Sequence, residues 1–185
     1  VTVNAGESTA ASSGTGGAIS LMTGYGRATS SGAFSIRTAN AGDNGVSGAL
    51  SFRSGSSTKG NSGGIVFKTG AATSGASGSV SIVLGSGKAG PGGLVSVSGG
   101  ESTASSSGTG GAVSLMTGYG RVTSSGSFSI RTANAGTTGV SGALSFRSGT
   151  ATKGSSGGIM LKTGAATSGA AGSLSMIVGA GNTGV

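Results

Sequence analysis

Apolar and hydroxyl-bearing residues alternate in short bursts along this chain, and the bursts recur at a nearly constant interval. Typical bursts are Ile19-Ser20-Leu21-Met22, Phe34-Ser35-Ile36-Arg37 and Leu50-Ser51-Phe52-Arg53. Their central positions are Ser20, Ser35, Ser51, Val66, Ser81, Ser96 and Ser114, so successive steps are 15, 16, 15, 15, 15 and 18 residues. Alternation with period two puts neighbouring side chains on opposite sides of an extended segment. A helix needs apolar spacings of three and four, and each interior glycine would cost it about 1 kcal/mol relative to alanine. Helix is therefore excluded, and each burst predicts a strand.

The segments between bursts are rich in Gly, Ser and Thr, as in residues 23–32, and are long enough to turn, return and turn again. Glycine supplies the backbone freedom such corners need. A fixed short period with one unit per repeat is the signature of stacked architectures. The pattern predicts an all-β fold, a narrow, right-handed parallel β-solenoid (β-helix) with rungs of about 15 residues. An antiparallel meander or sandwich is the alternative, but neither needs a constant beat. The expected buried columns are Ile19/Phe34/Leu50/Ile65/Val80/Val95 and Leu21/Ile36/Phe52/Phe67/Ile82/Val97. At a strand spacing of about 4.8 Å, six rungs would rise roughly 29 Å.

A longer beat overlies the short one. Residues 1–91 align with 95–185, and 68 of the 91 positions are identical. Residues 1–94 and 95–185 are thus expected to be two six-rung repeats of one continuous solenoid. Val1 stands in mid-phrase, so the chain reads as a segment of a longer array, continued covalently or by end-to-end association.

Composition narrows the functional classes. Of 185 residues 43 are glycine, aromatics make up 4% and charged residues 8%. So little bulk cannot fill a thick core, and the two structures that remain are a disordered tract and a thin repetitive fold. The regular spacing of the apolar residues favours the second. Histidine and cysteine are absent, which removes imidazole bases, thiolates, disulfides and zinc sites of the usual kind. The three acids are Glu7, Asp43 and Glu101; they are too sparse for a carboxylate pair or a calcium cluster. No enzyme, cofactor or metal is expected. No apolar run approaches the roughly 18 residues of a membrane span.

Eleven Lys and Arg against three acids give a formal charge of +8. The cations are spread along the array with no stacking aromatics beside them, so nucleic acid is not an expected partner. Arg37, Arg53 and Lys68, with Arg131, Arg147 and Lys162 in the second copy, share one outward column. Such a column is either a solvated edge that prevents sticking or a stripe for an anionic polysaccharide or silica. Met22 and Met116 lie on the same column, and Tyr25 and Tyr119 recur beside Arg27 and Arg121; these are candidate contacts between neighbouring rods. Thr23, Thr38, Ser54 and Thr69 form a single file that admits an ice-binding solenoid as a third reading.

The phrase SGALSFRSGSSTKGNSGGIVFKTGAATSGASGSVSIVLGSGKAG, residues 47–90, resembles the Gly/Ser/Thr-rich tandem-repeat proteins of algae and other stramenopiles. The resemblance runs over the whole chain. It implies an extracellular or cell-surface structural protein, a component of a wall, adhesive or filament that self-associates, and it transfers no functional residues.

Overall fold

The computed structural model describes residues 1–10 and 13–181. Among the described residues there is no helix and no strand; the backbone is coil punctuated by bends and turns. The bends fall at 27–29, 58–60, 73–75 and 88–90, with a two-residue turn at Asp43–Asn44. Three of them return at 121–123, 152–154 and 167–169, with a turn at Thr137–Thr138, and the second unit has a further bend at 105–107. Each lies in a Gly/Ser/Thr-rich stretch between two alternating bursts. The chain divides into two units, Val1–Leu94 and Val95–Val185.

The expected all-β solenoid, with its parallel rungs, is not what the chain forms. A stacked sheet requires the N–H and C=O groups of each extended segment to meet those of the next copy. Here the backbone hydrogen bonds run between glycines flanking the loops. Gly17 N–H donates to the Gly6 carbonyl at 2.7 Å, Gly32 to Gly24 at 3.1 Å and Gly45 to Gly42 at 3.1 Å. The second unit repeats all three: Gly111 to Gly100 at 2.8 Å, Gly126 to Gly118 at 3.0 Å, Gly139 to Gly136 at 3.4 Å. None involves a burst such as Ile19–Met22 or Phe34–Arg37. Alternation decides which side of a segment a residue faces, but it does not pair two segments. Glycine-rich connections also lose the most backbone freedom when ordered. With no sheet among the described residues, the rise of roughly 29 Å has nothing to measure.

Glycine is indispensable where these closures are tightest. A Cβ on Gly17 would stand 2.9 Å from the Gly6 nitrogen, and one on Gly111 would stand 2.8 Å from the Gly100 nitrogen. Gly90, with φ of 90°, ends the bend before Pro91 in a conformation that side chains with a Cβ seldom adopt.

The expected buried columns are not buried either. Among the described residues no hydrophobic side chain is buried. The accessible surface is 18673 Å², against about 7,700 Å² for a compact protein of this mass and about 24,000 Å² for an extended chain. Some difference in exposure remains. The first column ranges from 48% exposed at Ile65 to 63% at Val80, whereas Met22 and Met116 reach 94% and 95%.

A chain that buries so little apolar surface lacks the source of a large unfolding heat capacity. Dilute protein should show no cooperative heat-absorption peak on scanning calorimetry. Its amides should exchange near the random-coil rate, slowed only at closure donors such as Gly17 and Gly111. A sharp transition in dilute solution would contradict this structure.

Candidate anion-binding site

Arg37 follows the burst Phe34-Ser35-Ile36, and its neighbours Thr38, Ala39 and Asn40 lead toward the turn at Asp43–Asn44. These four residues line a hollow of about 360 Å³. In the second unit Arg131, Thr132, Ala133 and Asn134 line its equivalent, of about 400 Å³. Gly48 lies close to Thr38, one of the lining residues. A Cβ there would contact the Thr38 methyl at 3.4 Å, and Gly142 stands in the same relation to Thr132. The threonine therefore lies against a glycine nine or ten residues further on. The same opposition pairs Thr23 with Gly32 and Thr69 with Gly78.

The lining is donor-rich. A guanidinium offers five N–H donors in a planar fork, the asparagine amide adds two donors and an acceptor, and the threonine hydroxyl does both. A carboxylate or a sulfate group can set two of its oxygens against the guanidinium fork. All four residues of each hollow are exposed, so an incoming ligand displaces only surface water. Intramolecular neutralisation is impossible for the chain as a whole: if every acid held one cation, eight cations would still be unmatched.

No protein-family model, curated protein or solved structure matches this chain. No functional residue is thus transferred to it from a known relative.

Of the six cations expected to act as a column, only Arg37 and Arg131 line the hollows. Arg53, Lys68, Arg147 and Lys162 are exposed on later segments and take no part in them. The regular 5 Å file expected of stacked strands is lost with the sheet. Tyr25 and Tyr119 are exposed, as are Met22 and Met116. Each tyrosine precedes a tight corner: a Cβ on Gly26 would run into the Ser30 carbonyl, and one on Gly120 into that of Ser124. No group of acids positioned to hold a metal ion occurs among the described residues. No helix there is long and apolar enough to cross a membrane.

Sequence reasoning named Thr38 only as part of a threonine and serine file, and it overlooked Asn40, Thr132 and Asn134. A signal was available in the internal repeat. Asn4, Asn44 and Asn61 are replaced by Ser98, Thr138 and Ser155, and Asn40 alone returns, as Asn134.

Proposed function

We propose that this chain is a structural element of an extracellular fibre, adhesive or wall, ordered by association with further copies of itself. One observation carries the reading. Among the described residues no hydrophobic side chain is buried, although 34% of the sequence is hydrophobic. Half-covered Ile, Phe, Leu and Val in a repeated register leave apolar surface in water, which water disfavours. A second copy carries the same register every 94 residues, so two chains offer each other matching faces. Self-association therefore supplies the burial that the single chain lacks. The exterior location rests on the resemblance to wall and adhesive repeat proteins and on the Gly/Ser/Thr-rich composition.

The charge of +8 opposes assembly. Salt screens it over a Debye length of about 10 Å at 0.1 M. Assembly is therefore expected to rise with protein concentration and with salt. Sedimentation velocity across a concentration series, with negative-stain microscopy of the heaviest species, tests this. Filaments or large oligomers in high salt are expected. A monomer at every concentration and ionic strength would sink the proposal.

A second reading, a module that binds an anionic polysaccharide or mineral, is favoured by the paired hollows at Arg37 and Arg131.

A further inference from the structure

We infer that the hollows at Arg37–Asn40 and Arg131–Asn134 are equivalent sites for the carboxylate or sulfate groups of an acidic polysaccharide, one site in each 94-residue repeat. The inference deepens the second reading above: it names the residues and the stoichiometry, and it separates them from the general positive charge.

Three observations converge on these positions. The two hollows occur at the same register in both units, with linings identical in residue type. Each combines a permanent cation with two uncharged hydrogen-bonding side chains, whereas Arg53 and Lys68 line neither hollow. The asparagine is the one amide that the second copy retains. An amide and a hydroxyl are superfluous to simple charge attraction. They suit a ligand that carries hydroxyls beside its anionic group, as a uronate or sulfated sugar does.

Nucleic acid offers phosphates too, but unstructured strands are held by stacking bases on aromatic side chains beside a basic groove. Neither hollow has an aromatic lining residue. A polysaccharide needs no such platform to present repeated anions. Its linear charge also neutralises the surplus cations that oppose chain association, so binding and assembly reinforce each other.

The test uses the full 185-residue chain below the concentration at which it assembles, so failure of assembly and failure of binding are read separately. Heparin and polygalacturonate are the anionic probes, dextran the neutral control and single-stranded DNA the phosphate control, each measured by surface plasmon resonance in 0.05–0.2 M salt, a range of order the screening regime. Charge-assisted hydrogen bonds are the strong ones, so Arg37→Gln with Arg131→Gln should weaken heparin binding about 10-fold or more. Arg53→Gln with Arg147→Gln removes the same charge outside the hollows and should weaken it only about 2-fold to 3-fold. Asn40→Ala with Asn134→Ala leaves the charge unchanged and should cost about 5-fold, the worth of an ordinary hydrogen bond. Two heparin contacts per chain are expected at saturation. Equal losses from the two arginine pairs, or no loss from the asparagine pair, would overturn the sites. Tighter binding of DNA than of heparin and polygalacturonate would overturn the polysaccharide assignment. Because none of these side chains is buried, the variants test binding without a core to disrupt.

Discussion

Replacing Phe34, Leu50, Phe128 and Leu144 together by serine is expected to weaken self-association by about 100-fold to 10,000-fold. All four stand in the first apolar column and are about half exposed in the single chain. Full burial of such a side chain is worth roughly 1.5–3 kcal/mol, so covering the exposed half contributes about 0.7–1.5 kcal/mol each. Four together amount to about 3–6 kcal/mol, and each 1.4 kcal/mol is a factor of about ten in affinity. The matching change at Met22 and Met116, which are almost fully exposed, removes apolar surface without touching that column. Sedimentation equilibrium of both variants beside the parent chain decides the matter. If the methionine variant loses assembly and the four-site variant keeps it, the contact runs through the wrong face.

The second large effect is conformational. Gly26→Ala with Gly120→Ala places a methyl carbon against the Ser30 carbonyl in one unit and the Ser124 carbonyl in the other. Overpacking of this kind costs of order 1–3 kcal/mol. A single backbone hydrogen bond contributes only about 0.5–1.5 kcal/mol. The closure from Gly32 to Gly24, just beyond this corner, is therefore too weak to hold the bend against the clash, and the bend opens. Nuclear Overhauser contacts between position 26 and Ser30 should disappear, and the Gly32 amide should exchange at the random-coil rate. Gly55→Ala with Gly149→Ala is the control, because a Cβ at either site meets nothing within 4 Å. Loss of structure in the control, or its retention in the Gly26 variant, contradicts the steric account.

The difference between these two predictions reflects what a sequence pattern can carry. Which side of a segment Ile19 or Met22 occupies depends on that segment alone, and the alternation of apolar and polar residues encodes it. The loops at 27–29 and 58–60 follow from local Gly, Ser and Thr content, so their spacing was legible as well. Pairing is different: it belongs to two segments at once and requires backbone groups of both to be brought together. Nothing in Phe34-Ser35-Ile36 states whether its N–H groups meet another strand or water. The sheet was inferred from a rhythm that bends alone reproduce. At the candidate site, Arg37 and Arg131 were legible as members of an outward cationic column. Thr38 was legible only as part of a threonine file, and Asn40 was not legible at all, because it lies beyond the alternating burst and carries no charge. Their place together is seen only in the hollow that the chain forms on leaving Arg37.

The glycine closures also determine how the chain takes up load. Each hydrogen bond from Gly17 to Gly6 or from Gly32 to Gly24 short-circuits a stretch of backbone, eleven and eight residues by their numbering. At about 3.3–3.6 Å per extended residue, the two hold back roughly 36–40 Å and 26–29 Å of contour. The second unit stores the same lengths behind Gly111 and Gly126. When the chain is drawn out, these weak links part well before any covalent bond and feed out slack, and only the bypassed loops are shielded from load until then. They re-form when tension is released, since donor and acceptor stay tethered a few residues apart. A thread built this way stretches and dissipates work in small steps, a toughness that comes from its loops and needs no rigid core.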